Sequence, residues 1–498
     1  SQTELGAGTK RIKKSTMKKI KKLNIPGIGF IDAVSRYYPA TPYSSNLIGF
    51  AAYDEDKQAI IGKLGLELSL NEFLKGKDGK EQYQQTVDGS KLPGTTKVIE
   101  QAENGKDVVL TLDSSLQSTV ETQLQKTMDN EKDKSAWCLV MEVETGKVLA
   151  WASYPTFDQN EHKEIPSYQD AISTSTYEPG SVMKPFTYAT AIDTNVYPYN
   201  KTYVSYQFWY DYDASTGKIT RLPIGTNSPY PYIADALDEN FGEITFDQGL
   251  AFSSNVAICE LLANYINYSQ YSKYLDAFGF FQKVNTPYVD QSLGVKNIGL
   301  PTDYLSTGFG QASSITVLQL CQAYTAIFND GTMVRPYVID SIVDSDTGKV
   351  EKKYKKKAVG TPISSTTAKE VQELMSHVTD DGASGARFKV DGVDLLMKTG
   401  TGQIYNTDLG KYDPDYHTSS IMAAAPANDP KIMVYYGLVS PNITSYSAEP
   451  FKKIMRDTLQ TYGVSTTPTT DTQDTYEKWE SYSMPSLVNH TIDYAHEK

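Results

Sequence analysis

Thr176-Tyr177-Glu178-Pro179-Gly180-Ser181-Val182-Met183-Lys184-Pro185 is the stretch from which the rest of this 498-residue chain can be read. Pro179-Gly180 interrupts any regular element, and the residues after it place apolar Val182, Met183, Phe186, Ala189 and Ile192 at helical spacing. The spacing predicts a helix opened by Ser181 and running to Asp193, with those side chains facing a core. At such an N-terminus the unpaired N–H groups and the helix dipole favour negative charge, so an oxyanion forming there is stabilised. Lys184 lies three residues on, hence on the same face. Pro185 costs little so near a helix start, where N–H groups lack partners anyway. A hydroxyl with an amine one turn away is the minimum for acyl transfer through a serine.

Ser-x-x-Lys alone carries little weight, because roughly two or three matches are expected from ordinary Ser and Lys usage. Ser15-Thr16-Met17-Lys18 lies in a lysine-dense run, and Ser215-Thr216-Gly217-Lys218 reads as a turn. Ser181 is singled out by its local context and by two further strings placed in order along the chain, Ser253-Ser254-Asn255 and then Lys398-Thr399-Gly400-Thr401. Ser-x-Asn recurs at Ser44-Ser45-Asn46 and Ser440-Pro441-Asn442, whereas Lys-Thr-Gly occurs once.

Each string supplies a part of the chemistry. Ser253-Ser254-Asn255 precedes the apolar run Val256 to Leu262 and is expected to open a second helix at a cleft wall, an ordinary serine N-cap being the alternative. The Asn255 amide suits holding a substrate amide and Lys184 together. Lys398 ends an apolar run, Val393 to Met397, that reads as a buried strand, beside which a substrate could pair as an added strand. Gly400 permits close approach, Lys398 and Thr399 suit a substrate carboxylate, and the N–H groups of Thr401 and Ser181 suit an oxyanion hole. A plain strand end followed by a turn would account for Lys-Thr-Gly equally. Lys184 can act as a base only when uncharged, so burial and a second cation, Lys398, must lower it from its usual ~10.4. In this scheme the pair holds one proton loosely, Lys184 takes the proton of Ser181, and Ser253 passes it to the leaving amine.

Hairpins are expected where Ala136 to Val143 and Lys147 to Ser153 flank Glu144-Thr145-Gly146, and where Ser419 to Ala425 and Ile432 to Val439 flank Pro426 to Pro430. With the strand reaching Lys398 this makes five antiparallel strands. Helices occupy the intervening lengths, and Phe451 to Tyr462 reads as a closing helix. The fold class is therefore α+β: one sheet, a helical subdomain, and a cleft between them.

These motifs together resemble those of class B, high-molecular-mass penicillin-binding proteins. Thr176 to Ser181 is similar to the family's approach to its nucleophile, and Gly308-Phe309-Gly310-Gln311 with Ile315 to Gln319 is similar to its G-x-G-Q segment. Arg36-Tyr37-Tyr38-Pro39, Ile48-Gly49-Phe50, Gly65-Leu66-Glu67 and Thr111 to Gln117 resemble the non-catalytic domain and the start of the transpeptidase domain. The resemblance implies a D,D-transpeptidase that cross-links peptidoglycan, taking a D-Ala-D-Ala stem peptide as donor and an amine of a neighbouring stem as acceptor, and inhibited by β-lactams. It implies Ser181 as nucleophile, Lys184 as base, Ser253 and Asn255 as the second motif, Lys398 to Gly400 as the third, and Gln403 as a further substrate contact. No cofactor or metal is expected.

The expected domains are 1–108, a truncated, elongated non-catalytic pedestal; 109–463, the transpeptidase domain; and 464–498, a Thr-rich linker leading into Ser483-Met484-Pro485-Ser486-Leu487-Val488, which resembles the start of a PASTA repeat. Such repeats occur on division-type members, which implies a septal role with a membrane glycosyltransferase and division proteins as partners. Members usually begin with a cytoplasmic tail, one membrane helix and an R-G-x-I-x-D-R-N-G-like stretch. This sequence shows none of these, and it reads as a trimmed ectodomain from the outer face of the bacterial membrane.

Composition agrees: 39% hydrophobic residues support a sizeable core, and a net charge of −13 argues against nucleic acid as a partner. The basic run Lys10 to Lys22 reads as a solvated helix face, an anionic membrane surface being the alternative partner. Tyrosine is abundant, at 36, and its cluster from Tyr197 to Tyr232 reads as a long, partly polar loop region beside the cleft. Cys138, Cys259 and Cys321 read as buried small hydrophobes, and no C-x-x-C spacing suggests zinc. Two other classes share these motifs: a serine β-lactamase or β-lactam sensor, and a catalytically inactive division scaffold.

Overall fold

The computed structural model describes residues 3–463 apart from 4, 7–11, 32, 88–89, 132, 162–163, 407–409 and 442–447. The proposed linker and PASTA-like start, 464–498, lie outside the described residues. The described residues form two compact units, one within Ser1–Gly105 and Phe157–Glu164, the other within Lys106–Thr156 and Ile165–Lys498.

In the first unit the basic run forms the helix Lys14–Lys22, which buries none of its residues. Further on, strings remote in sequence meet. Arg36 Nε pairs with Glu67 Oε1 at 2.6 Å, and Tyr38 Oη accepts the Ala51 N–H at 2.7 Å. Residues 157–164, expected in the second domain, pack here: Phe157 meets Phe50 edge to face at 6.1 Å, and Asn160 Oδ1 accepts the Tyr38 N–H at 2.9 Å. Conversely, Asp107–Leu110 is a strand of the second unit, paired with Ile339–Val343.

The second unit is built on a five-stranded antiparallel sheet. Its strands are β1 (Ser135–Glu142), β2 (Val148–Tyr154), β3 (Leu396–Asn406), β4 (Lys411–Ala425) and β5 (Ile432–Ser440), in the order β3-β4-β5-β1-β2. β3 and β4 run well past the expected ends at Lys398 and Ser419. Beyond the core their residues are polar and lose the apolar pattern, but each strand satisfies the other's backbone, so pairing continues from Gly400↔Ser420 to Gln403↔His417. One face is covered by α1 (Ser114–Glu131) and the closing helix Glu449–Thr461, which pack Leu116, Val120, Leu124, Phe451, Ile454 and Leu459 against Cys138, Val140, Ile421, Val434 and Tyr436. A buried phenylalanine or leucine in such a cluster contributes about 1.5–3 kcal/mol.

The helical part is organised around α2 (Lys184–Asp193), in which residues 184–192 are all buried. A helix apolar or dry all round belongs in a core rather than on a surface. The Phe186 ring meets Phe278, Phe280 and Tyr324 edge to face within 5.0 Å. Beside it stand α3 (Asn255–Asn264) and α4 (Val317–Phe328), the latter started by a Thr316–Gln319 capping box.

The tyrosine-rich region is not a loop, as expected, but a small sheet in the order Lys218–Leu222, Gln207–Asp213, Ile233–Ala234. Tyrosine and tryptophan favour strands, and here they stack across them: Trp209 on Tyr232 at 4.7 Å and Tyr210 on Tyr230 at 5.3 Å. Residues 214–217 form the hairpin turn, tied by Ser215 N–H to Asp213 Oδ1 at 2.9 Å, and Lys218, expected in the turn, opens the next strand. All three cysteines are buried and free.

Candidate active site

Ser181 lies on a 3₁₀ turn, Gly180–Met183, and the α-helix begins only at Lys184, three residues later than expected. Pro185 supplies the reason. In an α-helix its N–H would bond the Ser181 carbonyl, but proline has none, and the Lys184 N–H closes the tighter turn onto Ser181 O instead. Gly180 opens the turn at φ +64°, its N–H donated to Gly310 O at 2.8 Å. This connects the G-x-G-Q segment to the serine turn.

β3 is the outer strand of the sheet, and the serine turn packs against it. A carbon added to Gly400 would lie 3.0 Å from Val182 Cγ1 and 3.1 Å from Pro179 O. Gly400 is thus needed for the turn to reach the strand.

The second string divides its labour. Ser254, not Ser253, is the N-cap of α3: its Oγ accepts the Ala257 N–H at 3.1 Å and donates to Asp235 Oδ1 at 2.8 Å. Ser253, one residue earlier, is held at φ +65°, a conformation that non-glycine residues seldom adopt. Its Oγ accepts from two amines, Lys398 Nζ at 2.8 Å and Lys184 Nζ at 3.2 Å. Lys184 also donates to the Ser253 carbonyl, and Lys398 to Thr399 O at 3.0 Å.

Both lysines are completely buried. Burial brings Lys184 down to about 7, against the opposing pull of the Asp235 carboxylate. Burial, and after it the charge of Lys184, holds Lys398 well below the usual lysine range. Lys398 thus points inward, with its Nζ engaged by Ser253 Oγ and Thr399 O. Asn255 also departs from expectation: its Nδ2 donates to Ala234 O at 2.8 Å, so it holds the cleft wall rather than Lys184.

A cavity of about 560 Å³ opens over these groups, lined by Ser181, Ser253, Asn255, Thr399, Thr401 and Gln403 among others. Thr399 Oγ1 donates to Ser384 Oγ at 3.3 Å, and Arg387 and Glu239 also face the cavity. Asp235, Ser384, Arg387 and Glu239 escaped the sequence reading, because they belong to no recognisable string and reach the site only through the fold. Ser254 was in view, but its separate job shows only in the bond to Asp235.

Two buried amines gathered on one hydroxyl, beside a second hydroxyl at a helix start and under an open strand edge, place the protein among enzymes that transfer acyl groups through a serine. Residues 136–460 match the family described as penicillin binding protein transpeptidase domain, and residues 1–110 match the penicillin-binding protein dimerisation domain. The chain belongs to the class B penicillin-binding protein family. It is 28% identical over 460 residues to the probable peptidoglycan D,D-transpeptidase PenA of Neisseria gonorrhoeae, covering 90% of this chain and 72% of the relative. Stage V sporulation protein D of Bacillus subtilis is 28% identical over 467 residues, covering 91% and 68%. The crystal structure of penicillin binding protein 2X from Streptococcus thermophilus matches with a TM-score of 0.76 at 27% identity, over 90% of this chain and 66% of that one.

Proposed function

We propose that this chain is a D,D-transpeptidase that cross-links peptidoglycan stem peptides through an acyl-enzyme on Ser181. The observation that carries the reading is Ser253 Oγ shared by the Nζ atoms of Lys184 and Lys398 in the cavity that holds Ser181. The donor stem lies along the outer edge of β3, and its penultimate carbonyl carbon meets Ser181 Oγ. Lys184 takes the hydroxyl proton as the bond forms. The N–H groups of Ser181 and Thr401 receive the oxyanion, each such donor being worth roughly 3 to 4 kcal/mol. As the intermediate collapses, the proton passes from Lys184 through Ser253 to the departing D-alanine amine. The amine of a neighbouring stem then attacks the ester by the reverse path. Lys398 holds Ser253 in place, while Thr399 and Gln403 line the donor's track and Gly400, expected there, instead lets the serine turn reach β3. β-Lactams acylate the same serine.

A septal role, a membrane glycosyltransferase and division proteins as partners, and anchoring at the outer face of the membrane rest on the resemblance to division-type members. Among the described residues no helix is long and apolar enough to cross a membrane.

A fluorescent penicillin should label the wild type and not Ser181→Ala, and the adduct should last many minutes. Rapid loss of the label would indicate a β-lactamase, and no label at all an inactive scaffold. Release of D-alanine from a synthetic stem peptide, with transfer to an added amine, tests the natural reaction.

A further inference from the structure

Proton transfer from Ser181 turns Lys184 into an ammonium inside a dry pocket. That charge is costly unless another charge meets it. Neither Ser181 nor Ser253 carries one, and the fold supplies it from elsewhere.

Asp235 is 3% exposed, and both its oxygens only accept. Oδ1 takes the Ser254 hydroxyl at 2.8 Å and the Val256 N–H at 3.0 Å, and Oδ2 takes the Tyr206 N–H at 3.0 Å. A carboxyl group surrounded by donors is matched to its anion. Burial raises it above the usual carboxylate range, and these bonds and then Lys184 limit the rise. The titratable groups around it come from every neighbouring element. Lys184 and Tyr188 face it from α2, and Tyr203 from the strand Thr202–Val204. Cys259, with Glu260 beside it, faces it from α3, and Glu239 from its own segment. Lys398 adjoins Lys184 from β3. Burial raises Tyr188, Tyr203 and Cys259, which stay neutral. Glu260 is paired with Arg221, and burial pushes Glu239 up to about 7. Asp235 is therefore the buried carboxylate that Ser254 ties to the turn whose next residue, Ser253, accepts from Lys184.

We propose that Asp235 is the buried counterion of the ammonium that Lys184 becomes when it takes the proton of Ser181. This rests on Ser181 being the acylated serine. The proton leaves the Ser181 oxygen, forms the fourth bond on Lys184 Nζ, and departs through Ser253, with Asp235 remaining ionised throughout. Asp235 acts through the amine and is a positioning residue.

The test is the pH dependence of acylation by a penicillin, measured on the full chain. Asp235→Asn removes the charge, so the acidic limb should move to lower pH by about one unit or more, with a lower plateau because the amine is a weaker base. Ser254→Ala removes a hydrogen bond but keeps the charge, and its limb should stay within about 0.3 unit of the wild type. A folded Asp235→Asn with an unmoved limb, or a Ser254→Ala limb shifted as far, overturns the proposal. Carboxyl-carbon NMR of the wild type, with Asp235 assigned through its backbone, decides the case if Asp235→Asn does not fold: an ionised Asp235 between pH 6.5 and 8 supports the proposal, and a protonated one overturns it. A wild type that penicillin does not acylate would count instead against Ser181 as the nucleophile, and the NMR result would stand by itself.

Discussion

Gly180 and Thr401 are in contact where the serine turn meets the outer strand: a carbon added to Gly180 would lie 2.2 Å from the Thr401 carbonyl oxygen. Gly180 also holds φ at +64°, which costs an L-residue roughly 1–2 kcal/mol before any contact is counted. The relation sets the spacing of the two N–H groups proposed for the oxyanion. Gly180→Ala should therefore lose at least about 2 kcal/mol of stability and at least about tenfold in acylation rate. Urea unfolding and stopped-flow acylation with a reporter penicillin measure the two. A variant as stable and as fast as the wild type would mean that the turn can shift without consequence.

Lys184 makes the pH dependence specific. An amine works as a base when uncharged, and burial brings this one down to about 7. The acylation rate should rise about tenfold per unit below that pH and level off above it, whereas an ordinary lysine would keep the rate rising toward ~10.4. Lys184→Arg, charged at every accessible pH, should lose at least about a thousandfold. The same shift acts on stability. Between about 7 and 10.5 the unfolded chain holds a proton on this lysine that the folded chain does not, so this contribution to stability rises with pH across that window.

Two neighbouring serines should respond in opposite ways. Ser253→Ala removes the hydroxyl shared by Lys184 and Lys398, while each amine keeps a carbonyl acceptor. Stability should change by less than about 1 kcal/mol while acylation falls about a hundredfold. Ser254→Ala removes the α3 cap and a bond to Asp235, at a cost of about 1–2 kcal/mol, with a smaller effect on rate. Thermal unfolding and acylation rates on the two variants separate the roles. Equal losses of both properties in both variants would show that the serines act as one structural unit.

That contrast also marks how far the sequence could be read. The five strands were legible because Val140, Ile421 and Val434 sit in apolar runs that a buried sheet requires, and the closing helix because Phe451, Ile454 and Leu459 repeat at helical spacing. Ser181, Ser253 and Lys398 were legible as an ordered set. The orientation of Lys398, the bond of Asn255 to Ala234 and the capping role of Ser254 were not, since a string names a side chain without naming its partner. Asp235 lies in Ile233-Ala234-Asp235-Ala236, with no spacing to mark it, and only the return of the small tyrosine-rich sheet brings it beneath α3. The 3₁₀ turn was derivable in hindsight from Pro185, whose missing N–H forbids the α-helical bond to Ser181.

Glu178 offers a further test, at a position just ahead of the serine turn. Its carboxylate accepts the Tyr412 hydroxyl at 3.3 Å and 3.4 Å on its two oxygens, and burial pushes it up to about 7. The folded chain then holds a proton on this group between about 4.5 and 7 that the unfolded chain has released. Its contribution to stability must fall as pH rises through that window and stay low above it. Glu178→Gln keeps the size and the acceptor for Tyr412 and carries no charge at any pH. The variant should match the wild type near pH 4.5 and exceed it at pH 8 by about 1–3 kcal/mol, read from urea midpoints at the two pH values. A gain of the same size at both would trace the effect to packing, because only the loss of a buried charge can make the difference depend on pH.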